Sequence, residues 1–250
     1  MNLFDVSGKK VIFTGATGGL GQSMAEGLLE AGAEVVLVGA SGRCRTLAEE
    51  YRARGWKAHG LPCDLASTEE IRDCFGKALD LLGGEIDVLV NAAGIQRRAP
   101  SEDFPLEDWQ AVIDVNLTAP FLLSRLAGKQ MIRQGRGGRI INIASMCSYF
   151  GGSTIPAYSA SKGGIAQLTK AMCNDWAKYG ITVNAIAPGF FVTKQNEKLL
   201  FDDDGKEVGY VYYDEPFDWT SKFKGADCVG EHTQKGACLL YTSPSPRDRS

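Results

Sequence analysis

The sequence predicts a single α/β domain built on a doubly wound parallel sheet. Short apolar runs rich in β-branched residues alternate along the chain with longer amphipathic segments. The apolar runs are continuous rather than alternating, as expected of strands whose two faces are both covered by helices. A glycine-rich turn joins the first apolar run to the first amphipathic segment. Repeated β-α-β units with right-handed crossovers then give the doubly wound arrangement.

Taken in order, residues 10–14 (KVIFT) form a strand, 19–31 a helix and 34–38 (EVVLV) a second strand. A helix over 43–54 and a short strand over 57–62 follow. Residues 68–82 carry helical periodicity, and 87–91 (DVLVN) is a buried strand. A long helical region spans 106–133, then a strand over 138–144 (GRIINIA), a helix over 157–179 and a strand over 181–187 (ITVNAIA). No internal repeat and no interdomain linker interrupts this series.

A chain of 250 residues fits one domain with a substantial core, and 44% apolar residues is ordinary for a globular protein. The net charge of -3 and scattered basic residues give no footprint for nucleic acid. No apolar run reaches the ~18 residues of a membrane span, and the first residues lack the pattern of a signal peptide. The seven cysteines are odd in number and form no C-x-x-C pair, which points to reduced thiols and a cytoplasmic protein. With only His59 and His232, no histidine-based metal site is expected.

The turn Thr-Gly-Ala-Thr-Gly-Gly-Leu-Gly over 14–21 follows a strand and opens a helix. Gly15, Gly19 and Gly21 keep side chains out of it, so backbone can approach a pyrophosphate at the helix N-terminus. Glycines also make ordinary turns; the strand-turn-helix context favours the nucleotide reading. The acidic residue that often ends the second strand and binds a ribose 2′-hydroxyl is missing near Gly39. Ser41 and Arg43 are candidates for a 2′-phosphate, or Arg43 merely starts a solvated helix, which leaves NAD against NADP open.

Tyr158 and Lys162 stand four residues apart on one helical face, and Ser145 ends the preceding strand. A phenol with a pKa of ~10 is a poor base near neutral pH, and a nearby ammonium favours its ionised form. Ser145 is placed to hydrogen-bond a substrate oxygen. A Tyr and Lys at this spacing are by themselves common on solvated helices; the glycine turn and the upstream serine make that reading the weaker one.

These motifs together resemble the short-chain dehydrogenase/reductase family, over about residues 1–193. The turn at 14–21 matches the family's T-G-x-x-x-G-x-G, which implies Gly15, Thr17, Gly19, Leu20 and Gly21 as cofactor-binding. Asn91, Ala92 and Gly94 of Asn-Ala-Ala-Gly match its N-[AN]-A-G motif, and Asp64 with Leu65 matches the acidic position near adenine. Asn116 matches a helix-kink asparagine whose main chain holds a water linking Lys162 to solvent. Ser145, Tyr158 and Lys162 match the catalytic residues, and Pro188, Gly189, Val192 and Thr193 match the turn beside the nicotinamide. The resemblance therefore implies the Rossmann fold, NAD(P) as cofactor, and hydride transfer in which Tyr158 exchanges the substrate proton.

Within the family, residues 94–98, 143–152 and 158–170 are similar to sugar-acid dehydrogenases of the gluconate and 2-deoxy-gluconate type. Arg97 and Arg98 follow the strand-end motif, where a guanidinium can grip a carboxylate in a bidentate fashion or simply be solvated. Three other readings stand beside this one: a 3-oxoacyl-carrier-protein reductase of the same fold, a nucleotide-binding regulator without catalysis, which the retained Tyr158 and Lys162 disfavour, and an inactive fragment. The family also implies a homotetramer.

Residues 1–195 are assigned to the dinucleotide-binding and catalytic domain, and 196–237 to a substrate-lobe region whose helices no pattern identifies. The family's last strand is not found. Residues 238–248 (CLLYTSPSPRD) resemble the in-frame translation of a sequencing-library adapter, so 238–250 is expected to be a non-native tail without order.

Overall fold

The computed structural model describes residues 5–189 and the strand Cys238–Tyr241. The strands are β1 (Lys10–Thr14), β2 (Glu34–Gly39), β3 (Lys57–Pro62), β4 (Val88–Asn91), β5 (Gly138–Ile143), β6 (Ile181–Pro188) and β7 (Cys238–Tyr241). The helices are α1 (Gly19–Glu30), α2 (Arg43–Ala53), α3 (Thr68–Leu81), α4 (Leu106–Ile113), α5 (Ala119–Gln134), α6 (Cys147–Phe150) and α7 (Pro156–Trp176). The sheet order is β3-β2-β1-β4-β5-β6-β7, with β1 to β6 all parallel. The chain reverses direction across the sheet between β1 and β4, so their C-terminal ends open the crevice where such sheets bind ligands.

Alternate residues of each strand serve opposite layers of core. Ile12, Val36, Leu89, Ile140 and Val183 face α3, α5 and α7, where they pack with Phe75, Leu123, Met131 and Met172. Val11, Phe13, Val35, Leu37 and Val90 face α1 and α2, against Leu29, Leu47 and Tyr51. Register fixes this sorting: Ile12 lies opposite both Val36 and Leu89. A slip of one residue would send each side chain to the wrong layer.

The expected elements appear with boundaries shifted by up to three residues, the largest shift being at the end of α7, where Ala177–Tyr179 form a 3-10 turn, and three differences are informative. The region expected as one long helix is divided: a π-helical stretch, Asp114–Thr118, separates α4 from α5. Such a bulge opens the ladder by one residue. A single helical turn, α6, follows β5 where no element was expected. Finally, the order-free tail expected from residue 238 does not hold for Cys238–Tyr241, which runs antiparallel to β6 with Ile186 opposite Leu240. Its apolar run pairs with backbone groups of β6 that a sheet edge leaves open.

Candidate active site

The glycine turn closes to backbone contact with the next strand's end. Gly15 has φ +79°, and a Cβ there would come within 2.5 Å of the Ala93 nitrogen. A Cβ on Gly21 would strike the carbonyl oxygen of Gly15. Thr14 fastens the turn to the strand beside it: its Oγ1 accepts from the backbone N–H of Ala92 (3.2 Å) and of Ala93 (3.3 Å). Helix α1 begins with Gly18 and Gly19 and has no acidic residue in its first turn. Its free N–H groups and positive dipole end therefore fit the pyrophosphate of a dinucleotide.

Next to this cradle, β5 ends in a tight turn that aims Ser145. The N–H of Ser148 donates to the Ser145 carbonyl at 2.9 Å, and the N–H of Cys147 donates to Ser145 Oγ at 3.1 Å. The Ser145 side chain also acts on the Tyr158 phenol, favouring its ionised form. Tyr158 and Lys162 both come from the first two turns of α7, which starts at Pro156. Lys162 is buried, with Nζ 5.7 Å from the Tyr158 ring centroid, and it donates to the Ile143 carbonyl at 2.5 Å.

Asn116 lies in the π-helical stretch and is fully enclosed. Its side chain reads the loop after β4 in both directions: Oδ1 accepts from the Ile95 N–H (2.8 Å) and Nδ2 donates to the Ile95 carbonyl (2.9 Å). Nδ2 also reaches Ser161 Oγ at 3.3 Å, and Ser161 in turn donates to the Tyr158 carbonyl. A second buried polar chain runs under the sheet end, with Asn91 donating to Ser124 and Asn142, and Asn142 donating to Thr169.

Burial governs the electrostatics. It pushes the Tyr158 pKa above that of a free phenol, against the opposing pull of the Ser145 side chain. The sequence points to a phenol pKa brought down by Lys162, whereas the net shift of the free site is upward and is set by burial. Enclosure disfavours the phenolate more than the polar neighbours favour it. The same enclosure lowers the Lys162 pKa to about 8.

Residues 9–203 match the family described as short chain dehydrogenase. This chain belongs to that family. It is an NAD(P)-dependent oxidoreductase acting on CH–OH groups. It is 40% identical over 203 residues to 2-dehydro-3-deoxy-D-gluconate 5-dehydrogenase of Escherichia coli K12, spanning 81% of this chain and 79% of that protein. It is 38% identical over 204 residues to gluconate 5-dehydrogenase of Gluconobacter oxydans, spanning 81% of this chain and 79% of the relative. Among solved structures, gluconate 5-dehydrogenase of Burkholderia cenocepacia in complex with NADP and tartrate is 40% identical. It superposes with a TM-score of 0.74 over 79% of this chain and 77% of its own.

Around this cluster the remaining candidates divide. Thr17 approaches the end of β2, its Oγ1 3.5 Å from where a Cβ on Gly39 would stand. Ser41 and Arg43 are exposed just beyond, and Leu20 is partly covered. Asp64 is exposed and accepts from the Ala66 N–H at 2.9 Å, while Leu65 is buried in the core. Ala92 and Gly94 lie along the loop after β4, and a Cβ on Gly94 would come within 3.8 Å of Lys162 Nζ. Pro188 ends β6 and accepts from the Met146 N–H at 3.3 Å, with Gly189 next to it. Val192 and Thr193 lie outside the described residues. The two arginines part company: Arg97 Nε sits 3.4 Å from Asp108 on α4, whereas Arg98 reaches Thr154 Oγ1 at 3.4 Å.

Two contributors were not picked out from the sequence. Thr14 was read only as the start of the glycine turn, although a hydroxyl at a strand's end is a known way to satisfy nearby amides. Ser148 was one of several serines in a short stretch, and nothing in its spacing marks it. Among the described residues no group of three or more His, Cys, Asp or Glu is arranged to hold a metal, and no helix is long and apolar enough to cross a membrane.

Proposed function

We propose that this chain interconverts a secondary hydroxyl and a ketone on a sugar acid of the gluconate or 2-deoxy-gluconate type, with Tyr158 carrying the proton. The observation that carries this reading is the convergence of Ser145, Tyr158 and Lys162 beside the glycine turn, with Lys162 Nζ 5.7 Å from the Tyr158 ring centroid and bound to the strand that leads to Ser145. The nicotinamide, when bound, supplies the hydride acceptor for oxidation and the donor for reduction.

The chain's own residues account for the proton. In reduction Tyr158 is well suited to give its proton to the oxygen as negative charge gathers there, because burial keeps the phenol protonated. In oxidation the phenolate takes the hydroxyl proton. Ser145 donates to the same oxygen, its polarity set by the N–H of Cys147. Lys162, when charged, steadies the phenolate from beside the ring, and Asn116 holds the loop after β4 and the Ser161 turn in place. Gly15, Gly19 and Gly21 receive the pyrophosphate, and Ser41 and Arg43 are suited to a 2′-phosphate.

The substrate class is supported by the relatives' names and by the tartrate complex, tartrate being a small hydroxy acid. Arg98 is the guanidinium available for a carboxylate, since Arg97 is committed to Asp108. The described cysteines are all free, which fits a cytoplasmic enzyme. Leu106, Trp109 and Phe121 stay exposed on α4 and α5, an apolar face that suits a homotetramer.

The test is a substrate panel with NAD+ and NADP+: D-gluconate, 2-deoxy-D-gluconate and 2-dehydro-3-deoxy-D-gluconate against neutral secondary alcohols. Turnover should favour the acids, and Tyr158→Phe should lose about 10²–10⁴-fold in kcat while still binding cofactor. Near-normal turnover by Tyr158→Phe would remove that residue from the role. A preference for neutral alcohols would remove the substrate class.

A further inference from the structure

Ser148 sits where the two halves of the site meet. Its hydroxyl accepts from the backbone N–H of Ser145 at 3.2 Å and donates to the backbone carbonyl of Lys162 at 2.7 Å. One oxygen thus joins the end of β5, which bears Ser145, to the helix α7, which bears Tyr158 and Lys162. The two bonds differ in direction, so the hydroxyl is fully oriented: its proton goes to Lys162 and its lone pair receives Ser145.

The bridge is anchored on its own side as well. The N–H of Ser148 donates to the Ser145 carbonyl, which makes residues 145–148 a closed turn, and α6 continues from it. Any drift of α7 relative to β5 must therefore stretch the Ser148–Lys162 bond or open that turn. Two further side-chain ties join β5 to α7: Asn142 donates to Thr169, two turns along the helix from Lys162, and Lys162 Nζ donates to Ile143, a bond made by a group whose charge bears on turnover. Ser148 touches neither reacting oxygen.

We infer that Ser148 is a positioning residue: it fixes the distance between the Ser145 and Tyr158 hydroxyls while those groups exchange protons. This rests on the roles proposed for Ser145 and Tyr158. Losing the bridge should impair the chemical step more than cofactor binding, because the glycine turn lies on other elements.

The experiment compares wild type, Ser148→Ala and Ser148→Thr with D-gluconate and NADP+, measuring kcat, the KM of each substrate and the thermal midpoint, with Tyr158→Phe alongside. The expected result is a fall in kcat of about tenfold for Ser148→Ala, a KM for NADP+ within about twofold of wild type, and recovery of most of the loss by Ser148→Thr. If Ser148→Ala does not fold, Ser148→Cys, which keeps the volume and only a weak donor, is judged by the same criteria. A kcat within about twofold of wild type overturns the proposal. So does a kcat loss that Ser148→Thr does not repair, or one that comes with an equal rise in the KM for NADP+. If Tyr158→Phe keeps its activity, it is the underlying reading of the site that fails instead.

Discussion

Lys162 holds its ammonium 5.7 Å from the ring centroid of Tyr158 and ties it to the Ile143 carbonyl. The charge that should serve the phenol is thus anchored to the strand that ends in Ser145. Helix α7, strand β5 and the Tyr158 ring meet at one buried cation, whose own charge is costly there.

That cost has a pH signature. The folded pKa of Lys162, about 8, lies below the ordinary lysine value of 10.5. Below pH 8 both folded and unfolded chains hold the proton, so the folded state bears the full cost of the buried charge. Between 8 and 10.5 the unfolded chain keeps the proton and the folded chain releases it, so this residue's contribution to stability rises with pH. Lys162→Met removes the effect, on the order of 3 kcal/mol at most. Urea unfolding at pH 7 and at pH 10 should show the wild type gaining on Lys162→Met as pH rises. A gap moving the other way would show that the ammonium is stabilised where it sits.

The glycine turn predicts a contrast between neighbours. Gly15 needs φ +79° and has the Ala92–Ala93 backbone against its α-carbon, whereas Gly18 has φ -132° and nothing within 4 Å. Gly15→Ala should lower stability by roughly 2–4 kcal/mol and abolish measurable cofactor binding. Gly18→Ala should stay within about 1 kcal/mol of wild type, the ordinary price of alanine at an N-cap. Thermal unfolding with and without NADP+ measures both; an effect at Gly15 as small as that at Gly18 would mean that the turn tolerates side chains throughout.

How far the sequence reaches can be seen from particular residues. The strand-turn-helix at 14–21 and the Tyr158–Lys162 spacing are local patterns, and local patterns survive folding. The π-helical stretch was hidden because Asp-Val-Asn-Leu-Thr continues the helical period; only the family resemblance set Asn116 apart. The pairing of Arg97 with Asp108 joins a loop to a separate helix, and the Ser148 bridge spans β5 to α7. Neither has a short-range signal. The upward shift of the Tyr158 pKa was missed for a related reason: spacing shows which charge is near, but not how much water is excluded.

Asn116 should behave as an organiser rather than as a reacting group. Its amide satisfies both the N–H and the carbonyl of Ile95, which requires a donor and an acceptor on one side chain. Asn116→Asp keeps the acceptor but sets a carboxylate oxygen against the Ile95 carbonyl, so it should cost at least as much activity as Asn116→Ala, about tenfold or more in kcat. Steady-state kinetics at pH 7 decide it. If Asn116→Asp is the more active of the two, Asn116 acts through its acceptor alone.

The two arginines give the sharpest check on substrate class. Arg97 already has a carboxylate partner in Asp108, so Arg97→Ala should change the KM for D-gluconate by no more than about threefold. Arg98 is held only loosely, by a 3.4 Å bond to the hydroxyl of Thr154, itself at φ +62° in the loop that leads into α7. A charge-assisted bond to a substrate carboxylate is worth about 1.5–3 kcal/mol, so Arg98→Ala should raise that KM roughly 10–100-fold. The KM for a neutral ketone should hardly change, because no carboxylate is present to lose its partner. Equal rises for acid and neutral substrate would mean that Arg98 shapes the loop through Thr154 and does not bind the acid.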